Sequence, residues 1–103
     1  MFIVDKTPYK YLAVSLSSAE AYAIQENLMF NKIEGWCTQL LAAVSGDANA
    51  QVKWRSDPET GSSAQDGMPL LQYGTLELKN MVAIKNLRFY CVSTATLHLI
   101  LMR

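Results

Sequence analysis

The clearest pattern in the chain is the strict alternation at its C-terminal end. In Ala95–Met102 the residues Ala95, Leu97, Leu99 and Leu101 fall on one side, and Thr96, His98, Ile100 and Met102 on the other. A period of two means a β-strand with one buried face. From Leu87 onward nearly every residue is β-branched, aromatic or aliphatic, and Ser93–Thr94 divides the run. The tail therefore reads as two strands, expected to lie side by side as antiparallel neighbours. The same alternation recurs upstream. Leu12, Val14 and Leu16 share a face of Tyr11–Leu16, while Ala50, Val52 and Trp54 point inward against Gln51, Lys53 and Arg55. In Thr75–Leu78, Leu76 and Leu78 face in, with Glu77 and the following Lys79 facing out.

Other segments are less decided. Asn31–Ala43 reads as one long strand bulged near Gly35, with Ile33, Gly35, Cys37 and Leu41 on one side and Trp36, Thr38 and Leu40 on the other. The cluster Ser45-Gly46-Asp47-Ala48-Asn49 is a turn, so this strand and the next are expected to form a hairpin. Ser17-Ser18-Ala19-Glu20 has the Ser-x-x-Glu form of a helix capping box, and good helix formers follow it through Met29. The competing reading makes Ala21–Gln25 a short strand, and the surrounding β pattern tips the balance that way. Residues 1–10 hold Pro8 and little pattern and read as an N-terminal arm, leaving 11–103 as one domain. The polar, breaker-rich segment Ser56–Pro69 is a long loop, beyond which Leu70–Leu71 re-enters the core and Tyr73-Gly74 turns. The pattern gives six to eight short strands with no βαβ rhythm. The fold class expected is all-β, an antiparallel β-sandwich or small jelly roll.

Composition narrows the possibilities. At 103 residues the chain supports one core. Half its residues are hydrophobic and 17% are charged, which excludes disorder and leaves more apolar surface than one small core needs. Nine basic and nine acidic residues cancel, so no net field draws the chain to nucleic acid or an anionic membrane. Lys79, Lys85 and Arg88 are read as charges on the wet side of a sheet. No apolar run is long enough for a spanning helix. Met1–Leu12 carries Asp5, two lysines and Pro8 where a secretory leader has an apolar stretch. Cys37 and Cys91 stand in no metal or redox spacing and read as reduced, buried small hydrophobes, although both fall in predicted strands where facing thiols are geometrically possible.

Chemical motifs are missing. His98 is the only histidine, so it makes no metal site by itself, and no base–nucleophile spacing, nucleophile elbow or glycine-rich phosphate loop occurs. Asp57, Glu59 and Asp66 share the long loop without the regular spacing of a calcium loop. No catalytic residue, cofactor or metal is expected. Trp54 is assigned to the core, whereas Trp36 shares its face with Lys32 and Glu34 and suits a contact between subunits.

Positions 48–103, taken together, carry a pattern. An alternating strand, Ala50–Trp54, leads through a Ser/Gly loop to Gly67-Met68-Pro69-Leu70. Tyr73-Gly74-Thr75-Leu76-Glu77-Leu78 follows, then Ile84, Asn86, Leu87, Phe89 and Tyr90, and last Ala95, Leu97, Leu99 and Leu101. This half of the chain resembles small β-sandwich structural proteins of tailed-bacteriophage virions, including capsid decoration (cement) proteins and other head or tail accessory proteins. The resemblance rests on fold-pattern residues and carries over no catalytic group. It implies a homo-oligomeric virion component, made in the host cytoplasm and bound to the major capsid protein or other virion proteins. Phe2, Ile3, Met29, Phe30, Trp36 and Met102 are the candidate partner contacts. The alternative is a carbohydrate- or receptor-binding module using Trp36, Tyr73 or loop 56–69. Cys37, Trp54 and Phe89-Tyr90-Cys91 also echo an immunoglobulin-like sandwich, with Phe89 where that family carries tyrosine.

Overall fold

The computed structural model describes residues 7–24, 37–59 and 63–103. Phe2, Ile3, Met29, Phe30 and Trp36 lie outside the described residues. Eight strands are described: β1 (Pro8–Leu16), β2 (Ala21–Ala23), β3 (Gln39–Ser45), β4 (Gln51–Arg55), β5 (Met68–Leu71), β6 (Thr75–Leu78), β7 (Arg88–Ser93) and β8 (Ala95–Met102). A 3-10 turn spans Ala64–Asp66, and a one-turn helix, α1, spans Met81–Lys85.

The strands form two antiparallel four-stranded sheets, β1-β8-β3-β6 and β2-β7-β4-β5. The pairs β1·β8, β2·β7, β3·β6 and β4·β5 join the chain symmetrically about its middle. One long two-stranded ribbon, turning at the loop between β4 and β5, is thus rolled up on itself. Pairings β3·β8 and β4·β7 close the roll. This is the eight-stranded jelly roll, and the all-β sandwich expected from the alternation is the fold found.

Rolling explains where the sequence misled. β3 and β4 are no hairpin: β3 pairs with β8 and β6 in one sheet, β4 with β7 and β5 in the other. β7 and β8 are no hairpin either. Thr94 alone separates them, too few residues to reverse the chain, and the chain crosses there from one sheet to the other. Ser93 pairs with Gln51 in one sheet, and Ala95 with Leu16 in the other. Gly46, at the β3–β4 corner, has φ +147°, and a β-carbon there would lie 2.8 Å from Ala50 Cβ. Only glycine fits a corner this tight.

At Ser17–Glu20 the predicted local chemistry is present without the helix. The Ser17 N–H donates to Glu20 Oε1 (2.7 Å), as in a capping box. Ala19, however, takes φ +69° and the segment closes as a turn. The Ala19 N–H then donates to the Cys91 carbonyl (2.7 Å), and the Cys91 N–H to the Glu20 carbonyl (2.8 Å). Pairing with β7 outweighs helix propensity, so Ala21–Ala23 is a strand.

Boundaries need further correction. Pro8–Lys10, assigned to the arm, belongs to β1, and the Thr7 and Arg103 backbones exchange hydrogen bonds beyond it. Within the predicted 31–43 strand, pairing starts only at Gln39 and continues to Ser45; positions 31–36 lie outside the described residues. Cys37 precedes the alternation and is buried, whereas Leu41 faces out, so the two do not share a face. Met68–Pro69 belongs to β5 rather than to the loop. Of Leu70–Leu71 only Leu70 is buried. Helix α1 was not foreseen; the Asn80 side chain caps it by accepting from Val82 and Ala83 N–H, and it drives Ile84 into the core.

The core lies between the sheets. Leu40, Ala42, Val44, Ala95, Leu97, Leu99, Leu101 and Leu16 face Val52, Leu70, Phe89 and Cys91, with Ile84 and Leu87 closing one side. Trp54 packs against this core half-buried, as its alternation predicts. The strand order sets the fold apart from the immunoglobulin sandwich, and Cys37 and Cys91, both buried, form no disulfide with each other.

Candidate functional site

The outer faces of the two sheets differ in charge. On the β2-β7-β4-β5 sheet the cross-strand rows Ala21–Tyr90–Lys53–Pro69 and Ala23–Arg88–Arg55 include three cations. On the β1-β8-β3-β6 sheet the rows are Tyr11–Ile100–Leu41–Glu77, Ala13–His98–Ala43–Thr75 and Ser15–Thr96–Ser45. Glu77 is the one carboxylate in these three rows, and they contain no lysine or arginine.

His98 sits at their centre. Its direct neighbours across the ladders, Ala13 and Ala43, are small, which leaves room for the ring to meet its diagonal neighbours. Tyr11 Oη lies 2.7 Å from Nδ1 and Ser45 Oγ 2.8 Å from Nε2. A hydroxyl donates or accepts, so both contacts persist in either tautomer and in the imidazolium. The Tyr11 and His98 rings lie at 26° to each other, with centroids 6.2 Å apart. The Ser45–His98 distance is that of a nucleophile and its base. Ser45 does not line the neighbouring hollow, however, and β8 is hydrogen-bonded along both edges, so its amides are committed to the ladders.

Beside this cluster is a hollow of about 420 Å³. Tyr11 of β1, His98 and Ile100 of β8, Leu41 and Ala43 of β3, and Thr75 and Glu77 of β6 line it. The Gln39 amide donates to Glu77 Oε2 and holds that carboxylate in place.

A second feature lies on the other sheet. Within β5 and the turn after it, Met68 is 62% exposed, Leu71 57% and Tyr73 75%. β5 is the outermost strand of its sheet among the described residues. Pro69 lacks an N–H and weakens this edge as a template for strand addition, so its side chains dominate any contact made there.

At the ribbon's tip, Arg55 pairs with Asp57 and with Glu59 (2.9 Å), and Arg88 donates to the Asp57 carbonyl (2.8 Å). The Arg55 hydrogen bond holds the Asp57 carboxyl below the ordinary aspartate range. Asp57 and Glu59 are therefore engaged by arginine, and no group of metal-ligating side chains gathers among the described residues.

Of the six residues predicted to contact partners, Met102 alone is described. It is 6% exposed, paired with Pro8 and Gln39, and so is not a surface residue of this chain. The groups missed are Tyr11 and Ser45 around His98, and Leu71 of the exposed run; Tyr73, and Met68 as part of loop 56–69, belong to the binding-module alternative that the sequence offered. Parity showed that Tyr11 and His98 stand off the core face; the register that joins them is a property of non-consecutive strands. In comparisons with known proteins, no family, no curated protein and no solved structure matches the chain.

Proposed function

We propose that this chain is a non-enzymatic structural protein of a tailed-bacteriophage virion, of the capsid decoration or cement kind, acting as a homo-oligomer on coat subunits. The observation that carries the reading is the exposed apolar edge: Met68, Leu71 and Tyr73 project from one short segment of an otherwise well-packed jelly roll. Met68 and Leu71 stand three apart in β5 and so flank the sheet edge on opposite sides, and methionine and aromatic side chains are enriched at subunit contacts. The jelly roll is itself an architecture recurrent in capsids, which adds support by fold analogy. No chemistry is needed. Each such side chain fully buried contributes about 1.5–3 kcal/mol. A protein that binds the assembled shell better than free subunits stabilises the shell in proportion to its occupancy.

The test combines light scattering of the purified chain with co-sedimentation on phage heads. The expected result is a discrete oligomer that sediments with heads at fixed stoichiometry. Leu71→Asp abolishes both while leaving the circular dichroism unchanged. A wild-type monomer that stays in the supernatant overturns the reading.

A further inference from the structure

We propose that the hollow on the outer face of the β1-β8-β3-β6 sheet is a saccharide-binding site, with Tyr11 as its stacking platform and Glu77 as the acceptor for sugar hydroxyls. Three observations lead there.

The first is the state of Tyr11. An unsupported tyrosine this exposed (59%) is a mobile side chain. Here its hydroxyl is tied to His98 Nδ1 at 2.7 Å, and His98 is tied in turn to Ser45 at 2.8 Å. The ring is thus held at the edge of the hollow before any ligand arrives, and little rotamer freedom remains to be lost on binding. A core or solvent role needs no such fixing.

The second is the division of chemistry around the hollow. Leu41, Ala43, Ile100 and the Tyr11 ring present apolar surface; Glu77 and Thr75 present oxygen atoms on the opposite side. Tyr11 and Glu77 end the same cross-strand row, Tyr11–Ile100–Leu41–Glu77, with the hollow between them. A pyranose has the matching division: a face of C–H groups for the ring and a rim of hydroxyls for the carboxylate. The volume of about 420 Å³ falls in the range of small-molecule sites, roughly 300–1,000 Å³.

The third is what the hollow disfavours. A purely apolar occupant, such as a leucine or phenylalanine from a coat subunit, desolvates Glu77 and adds no donor to the one Gln39 supplies. An anionic ligand meets Glu77 and no cation in the three rows around it. A neutral polyol satisfies both halves.

The site is separate from Met68 and Leu71 of the assembly contact proposed above, and only Tyr73 of that contact reaches the sheet that carries the hollow. The hollow lies on the outer face of one sheet, and Met68 and Leu71 belong to the edge strand of the other.

The experiment is a titration of the isotope-labelled full chain, followed by amide NMR, with maltotetraose, cellotetraose, chitotetraose and a purified bacterial O-polysaccharide. The expected result is saturable shifts for at least one of them, centred on Tyr11, Ala43, Thr75, Glu77 and His98. Tyr11→Ala and Glu77→Gln each weaken that binding on the order of tenfold or more, the scale of one lost stacking or charge-assisted contact. Both side chains are exposed, so circular dichroism stays native. His98→Ala weakens binding less, and His98→Gln, whose amide can hydrogen-bond the Tyr11 hydroxyl, recovers part of it. Leu71→Asp leaves sugar binding intact, which separates failure of this site from failure of the assembly reading. No saturable shift with any of the four, shifts centred elsewhere, or binding indifferent to both Tyr11→Ala and Glu77→Gln overturns the proposal.

Discussion

His98 shows how a residue's meaning depends on what the roll brings beside it. By its place in an apolar strand it is an unremarkable outward position; in the fold it joins Tyr11 of β1 to Ser45 of β3 across the strand between them. Asp57 is a second case. Along the sequence it is one acid of a polar loop, yet it ties the loop to two strands through Arg55 and Arg88. Its folded-state carboxyl lies below the ordinary value of 3.8, chiefly because Arg55 donates a hydrogen bond to the ionised form. The unfolded state therefore takes up the proton first as pH falls. The stabilisation from this group is complete only from about pH 5 upward, about one unit above the ordinary value, and is lost on descending through the lower folded-state value. Unfolding midpoints measured from pH 6 to pH 2 are expected to fall less steeply at the acid end in Asp57→Asn than in wild type. Parallel slopes refute the assignment.

Each sheet change needs an element that turns the chain without forming a hairpin. Thr94 does so as a single residue, Gly46 through a positive φ, and Ser17–Glu20 through a closed turn with Ala19 in the left-handed region. Among the described residues the one reversal between consecutive paired strands, β4 to β5, depends on Gly67. A β-carbon at that position would sit 2.1 Å from the Trp54 carbonyl oxygen, in backbone that cannot move aside without opening the β4·β5 ladder. Gly67→Ala is therefore expected to destabilise the fold by about 1–3 kcal/mol or more in chemical denaturation, although φ there is ordinary for any residue. A midpoint unchanged from wild type shows that the tip relaxes freely.

At the scale of the whole molecule the roll ties the two ends of the chain together. β1 pairs with β8 along nearly its full length, so no contiguous half of the chain holds a complete sheet. Such non-local pairing predicts slow folding, in milliseconds to seconds, and one cooperative transition. The cysteines report on it. Both are buried and out of reach of a reagent in the native state, and burial also pushes the Cys91 thiol up. Cys37 and Cys91 are expected to react with a thiol reagent together, along the same denaturant curve as the tryptophan fluorescence. Early release of Cys91 alone indicates that the β2-β7-β4-β5 sheet opens by itself.

The sequence by itself determined the strands and their faces. The alternation at 11–16, 50–54, 75–78 and 95–101 sorts side chains between core and solvent, because pleat parity is local and apolar residues must be buried wherever the strand ends up. Tertiary structure alone decided which strand lies beside which. β3 with β4, and β7 with β8, looked like hairpins because each pair is adjacent in sequence. A two-sheet roll satisfies the same parity with partners drawn from opposite ends of the chain. The outward cluster of Tyr11, Ser45 and His98, and the exposed edge at Met68 and Leu71, follow from that choice of neighbours. Register between distant strands is set by how the inner faces of both sheets pack together, a collective quantity that no single segment encodes.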